Sequence, residues 1–133
     1  VREKVRESGL KHVKVLPFIS RMDLAYDIAD VIVSRAGALS ISELCLVAKP
    51  VILVPSPNVA EDHQTRNAEA LVEKKAAKML ADSQAVERLV DDMLELLENE
   101  KEQKILTDHI KQLGIADAAE RIASEVLKIV KQP

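Results

Sequence analysis

The segment Ser34-Arg35-Ala36-Gly37-Ala38-Leu39-Ser40-Ile41-Ser42-Glu43 carries residue types suited to a phosphorylated ligand. It directly follows the β-branched run Val31-Ile32-Val33 and opens a helix expected from about Ala38 to Ala48. Gly37 permits close backbone approach, and the small residues around it keep the entrance open. The free N–H groups at the helix start, with the positive end of its dipole, suit a diphosphate. Glu43 lies about one turn into that helix, while Leu39, Ile41, Leu44 and Val47 are expected to pack. An ionised carboxylate accepts two hydrogen bonds at once, which matches the vicinal hydroxyls of a ribose. The alternative is local: Glu43 complements the helix dipole and Gly37 makes a turn.

Two further loops hold candidate groups. Glu61-Asp62-His63-Gln64-Thr65-Arg66-Asn67 is a polar cluster at the start of a helix expected over His63 to Lys74. His63 and Asn67 are four apart and share a face, with Gln64 beside it. Amides and imidazole both donate and accept, as recognition of sugar hydroxyls requires; polar first turns of helices are also simply common. Phe18-Ile19, containing the sole Phe, follows a short alternating run. It forms either a wall for a flat base, with Ile19 backbone groups reading the base edge, or part of the core.

Other chemistries lack their signatures. His12 and His109 have no Cys or carboxylate at metal-ligand spacing, so no metal site is expected. There is no phosphate-loop Gly-Lys-Ser/Thr, no nucleophile elbow and no Gly-x-Gly-x-x-Gly. Asp91-Asp92 and the charged stretch from Glu98 to Glu102 read as solvated helix faces. Cys45, between Leu44 and Leu46, reads as an inert packing residue and has no partner for an internal disulfide.

These groups need a scaffold. His12-Val13-Lys14-Val15-Leu16 alternates like a strand closed by Pro17, and Arg21 to Ala29 carries Met22, Ala25 and Ile28 at helical spacing. Val31-Ile32-Val33 and Val51-Ile52-Leu53-Val54 read as buried strands joined through the helix from Ala38, a βαβ unit. Pro55-Ser56-Pro57-Asn58 is a loop, and a short strand is expected at Ala77 to Leu80. From Ser83, taken as an N-cap, only helices follow: one with the stripe Val86, Leu89, Val90, Met93, Leu94 and Leu97, then two near Glu100 to Leu113 and Ala116 to Lys131. The fold class is α/β, a Rossmann-like parallel sheet flanked by helices, with residues 10–82 as the α/β part and 83–133 as a helical part. In such sheets ligands bind beyond the carboxyl ends of the strands, where all three candidate loops fall.

The 133 residues suit a single domain, and 47% apolar with 31% charged residues suits a globular one. A net charge of -3 offers no bulk attraction for nucleic acid or anionic lipid. No apolar run approaches the roughly 20 residues that span a bilayer. Val1 to Ser8 reads as the end of a helix begun upstream, so the sequence is expected to be part of a longer domain.

Phe18-Ile19 with Met22, the stretch from Tyr26 to Glu43, Pro50 to Pro55, and His63-Gln64-Thr65-Arg66-Asn67-Ala68 together resemble the MurG-type N-acetylglucosaminyltransferases of peptidoglycan synthesis. The similarity spans most of residues 13 to 80. It implies the C-terminal, donor-binding half of a two-domain GT-B glycosyltransferase, with UDP-GlcNAc as donor and no cofactor. By position, Ile19 and Phe18 would meet the uracil, and Arg35, Gly37, Ala38, Leu39, Ser40, Ile41 and Ser42 would line the diphosphate and sugar. Glu43 would hold the ribose, and Gln64, with Asn67 and His63, the GlcNAc hydroxyls. Many relatives carry Gln at the position of His63. The family's Gly-rich donor loop and its acceptor domain, which meets the lipid-linked muramyl-pentapeptide, have no counterpart here, so no catalytic residue is assigned and no turnover is expected of this chain alone. The resemblance further implies a peripheral place on the cytoplasmic face of the bacterial inner membrane. Alternatives are the donor part of another UDP-GlcNAc enzyme of this fold, such as a split transferase or a 2-epimerase, and a non-catalytic α/β interaction module.

Overall fold

The computed structural model describes residues 12–57 and 62–130. The helical end expected at Val1 to Ser8, and Asn58 and Glu61 of the loops, lie outside them. Element order is α1 (Met22–Asp27), β1 (Ile32–Ser34), α2 (Ala38–Val47), β2 (Val51–Leu53), α3 (His63–Glu73), β3 (Lys78–Met79), α4 (Asp82–Glu98), α5 (Glu100–Lys111) and α6 (Ala118–Val130).

The three strands form a parallel sheet in the order β1-β2-β3, with Ile32 opposite Val51 and Ile52 opposite Lys78. Parallel neighbours need a crossover, which α2 and α3 supply. The unbroken apolar run of β2 follows from burial on both faces. Val51 and Leu53 pack with Ala36, Leu44, Cys45, Ala68, Leu71 and Ile110. Ile52, half a pleat away, joins Val54, Leu80, Leu96 and Leu106 on the other face. Helices α4 and α5 therefore complete the core: Leu96 of α4 and Leu106 of α5 join the cluster on the Ile52 face, and Ile110 of α5 the one with Val51 and Leu53. Cys45 is buried as expected, and burial raises its thiol pKa, with Lys74 opposing weakly.

Several expectations require correction. Residues 13–16 form no strand: β1 pairs with β2 alone among the described residues, so this alternating run has no ladder, and Val13 and Leu16 are exposed. Ser83 is not the N-cap; Ala81 holds that place in extended conformation and Asp82 opens the helix. Of the six residues expected as a stripe on α4, four are exposed. Leu89 and Met93 pack inward with Ala85 and the fully buried Leu96, whereas Val86 is 96% exposed and Val90, Leu94 and Leu97 are exposed beside it. On α2, Leu44 and Cys45 are buried but Leu39 is 88% exposed. Helix α6 buries none of its residues among the described ones.

Candidate functional site

All three strands end on the same edge of the sheet and pass into helix N-termini. Helix α2 starts at Gly37, whose backbone is extended (φ −67°, ψ 146°) and whose side-chain position offers no cap. The first-turn N–H groups thus receive no capping side chain and remain available to an acceptor. Gly37 is not demanded by its own conformation. A Cβ there would meet Ser40 Oγ at 3.6 Å, an ordinary contact. What a side chain would restrict is the approach of an outside group to the amides. Ser42 turns its hydroxyl back to Ala38 O at 3.0 Å.

Three side chains knit this turn to its neighbours. Gln64, in the first turn of α3, accepts the N–H of Ala36 at 3.2 Å and that of Ser56 at 2.9 Å through one carboxamide oxygen. Asn67, one turn on, donates to Ala36 O at 3.1 Å. The fully buried Ala36 is held at both its polar groups by one face of α3. Arg35 reaches the other way: its Nη1 donates to Val54 O at 3.2 Å, Pro55 O at 3.3 Å and Asp82 Oδ1 at 2.5 Å. It joins the ends of β1 and β2 to the N-terminus of α4, where Asp82 also meets the positive end of the dipole. This ion pair is partly exposed and contributes at most about 1 kcal/mol.

Glu43 is exposed and accepts a hydrogen bond from Tyr26 Oη at 3.0 Å. Tyr26 is half-buried against the core cluster of β2 and α2. Burial first, then the Glu43 hydrogen bond and its negative charge, hold the Tyr26 phenol above its ordinary pKa. Beside Glu43 lies a mostly apolar cavity of about 370 Å³ formed by Ser42, Leu46, Leu113, Ile115 and Ala118. Phe18 is 79% exposed, so burial in the core is excluded for it, and Ile19 is exposed as well. His63 opens α3 behind Asp62, whose backbone is left-handed (φ 52°) and whose carboxylate accepts from Thr65 Oγ1 at 2.6 Å.

The expected residues therefore fall into two bonded groups, a separate Arg35 and an exposed apolar pair. Ala36, Gln64 and Asn67 form one group, Glu43 and Tyr26 the other, while Arg35 bonds away from both, to Val54, Pro55 and Asp82, and Phe18 and Ile19 precede the helix that carries Tyr26. A further cavity of about 520 Å³ at the ends of β2 and β3 is lined by Pro55, Pro57, Asp62, Thr65, Met79 and the start of α4, none of them an expected ligand contact. Sequence reasoning missed Tyr26 and Asp82. The sole Tyr of the sequence, four residues after Met22 on a short helix, was the available signal for the first. An acid immediately before Ser83 was the signal for the second.

The family model described as glycosyltransferase family 28 C-terminal domain matches residues 1–122. Among curated proteins, the UDP-N-acetylglucosamine--N-acetylmuramyl-(pentapeptide) pyrophosphoryl-undecaprenol N-acetylglucosamine transferase of Cytophaga hutchinsonii is 54% identical over 96% of this chain and 35% of its own length. The protein of the same name from Porphyromonas gingivalis is 55% identical over 92% of this chain and 32% of its own. The chain thus spans about a third of the length of the curated relatives it matches. A crystal structure of Acinetobacter baumannii MurG superposes with a TM-score of 0.77 at 31% identity, over 86% of this chain and 33% of that one.

Proposed function

Because the chain belongs to the glycosyltransferase family 28 C-terminal domains, we propose that it is the donor-binding part of an inverting N-acetylglucosaminyltransferase acting on UDP-GlcNAc. The observation that carries the reading is the turn at Ala36 and Gly37. It opens α2 with uncapped amides while Gln64 and Asn67 clamp it from α3. In this reading the diphosphate rests on the first-turn amides of α2, where the helix dipole favours negative charge. Exposed Leu39 and Phe18 then act as apolar surfaces for the nucleotide sugar. Glu43 accepts the ribose hydroxyls. Gln64, whose oxygen is committed to backbone amides, offers its NH₂ to GlcNAc; no described residue accepts from that group.

In the complete reaction the C4 hydroxyl of a lipid-linked muramyl-pentapeptide attacks the anomeric carbon of GlcNAc, with inversion. The proton goes to a base supplied outside this chain, and UDP departs with its developing charge on the α2 amides, a stabilisation present before the reaction begins. Among the described residues no helix is long and apolar enough to cross a membrane. It is the likeness to the curated transferases that supports a complete protein meeting its lipid acceptor peripherally, at the cytoplasmic face.

Titration calorimetry with UDP-GlcNAc, using UDP-glucose and ADP-glucose as controls, tests the reading on this chain and on Glu43→Ala. Uridine-selective binding that falls in the variant by roughly 1.5–3 kcal/mol, the scale of hydrogen bonds to a charged group, supports it. Equal affinity for all three nucleotides, or none by the folded chain, counts against it.

A further inference from the structure

We propose that Tyr26 is a positioning residue for nucleotide recognition, its hydroxyl fixing the Glu43 carboxylate in the orientation that receives the ribose. This rests on the reading of Glu43 as the ribose acceptor. Glu43 is an exposed residue with a long, freely rotating side chain, and holding it in one rotamer costs conformational entropy. Tyr26 supplies the restraint before any ligand arrives. Its ring packs against the core cluster, it has only two side-chain torsions, and its Oη donates to Glu43 Oε2 at 3.0 Å. One carboxylate oxygen is thereby anchored, while Oε1 and the second lone pair of Oε2 remain for two adjacent hydroxyls.

The same contact has a second role. Helix α1 buries no residue fully, and the Tyr26–Glu43 hydrogen bond is the sole side-chain to side-chain one between α1 and α2 among the described residues. Lys49 adds a bond from its Nζ to Asp27 O at 3.2 Å. The segment entering α1 carries Phe18 and Ile19. Tyr26 thus ties the apolar pair expected at the base directly to the carboxylate expected at the ribose, with Lys49 as a second tie between α1 and the end of α2.

The test is binding of UDP and of 2′,3′-dideoxy-UDP to the wild-type chain, Tyr26→Phe, Glu43→Ala and the double variant, followed by NMR shifts up to millimolar ligand. Thermal unfolding of each protein runs in parallel. Tyr26→Phe keeps the packed ring and removes only the hydroxyl. The expected result is about three- to tenfold weaker UDP binding in Tyr26→Phe, with unchanged affinity for the dideoxy nucleotide and no further loss when added to Glu43→Ala. Wild-type affinity for UDP in Tyr26→Phe overturns the inference. So does an equal loss for both nucleotides, which would make the residue a scaffold element only. If instead Glu43→Ala binds UDP as wild type does, or the folded wild-type chain does not bind UDP, the donor-site reading itself fails and the inference with it.

Discussion

Gln64 accepts the backbone N–H of Ala36 across 3.2 Å, joining the first turn of α3 to the turn that opens α2. The same oxygen takes the N–H of Ser56, so one side chain satisfies two amides in two different loops. Gln64→Ala leaves both amides without that acceptor, one of them on a fully buried residue, and is expected to cost about 1–3 kcal/mol in urea unfolding. Gln64→Glu keeps an acceptor at the same place. It should restore most of the stability yet bind UDP-GlcNAc worse than wild type, because it lacks the NH₂ and adds a negative charge near the diphosphate.

Gly37 separates folding from binding in the opposite way. Its extended backbone and the 3.6 Å clearance to Ser40 Oγ leave room for a methyl group. Gly37→Ala should stay within about 1 kcal/mol of wild-type stability, since alanine restricts the unfolded chain but is a poorer N-cap than glycine. Its affinity for UDP should fall at least severalfold if the diphosphate approaches these amides. Unfolding and titration on the same sample check both halves.

Gly114 has no such room. A Cβ there would lie 2.9 Å from Cys45 O, in the backbone of α2, and 3.4 Å from Leu46 Cδ2. Gly114→Ala must displace the turn after α5 or α2 itself, and a loss of about 1–3 kcal/mol is expected by analogy with overpacked cores. Because α2 carries Glu43, nucleotide affinity should fall with it.

Alkaline pH reports on Tyr26. Its pKa is raised in the fold, so the unfolded chain releases the phenolic proton first, from about pH 10. The contribution is fully present below that pH and is lost as pH rises through the folded-state value. Cys45 acts in the same direction, beginning lower. Urea unfolding between pH 8 and 11.5 should show declining stability in the wild type and a shallower decline above pH 10 in Tyr26→Phe.

The parts of this fold legible in the sequence are those where one physical cause dominates. Val51 to Leu53 is apolar without interruption because β2 is covered on both faces, and no other element type fits so short a run before Pro55. The helix from Ala38 was equally plain, being bounded by Gly37 and by Lys49-Pro50. Where two causes compete, pattern reasoning failed. Helix α4 carries two neighbouring apolar rows, Ala85-Leu89-Met93-Leu96 and Val86-Val90-Leu94-Leu97, and hydrophobicity alone favours valine over alanine at the first position; the sheet chose the other row. At the site, residue types located Gln64 and Asn67 correctly at the edge of the sheet, yet their grip on Ala36 depends on how two loops converge, which local spacing does not encode. The Tyr26–Glu43 contact spans 17 positions and was invisible for the same reason.

The strand order β1-β2-β3 repeats the order of the chain, so every ladder among the described residues closes between strands that are consecutive in sequence. Loop-closure entropy is small for such pairings, and folding rate rises as contacts become more local. The sheet can therefore grow by accretion: β2 docks on β1 once α2 is made, and β3 follows through α3. Accretion alone leaves both faces bare, however: Ile110 of α5 completes one core cluster and Leu96 and Leu106 the other, so the sheet is committed only when α4 and α5 dock.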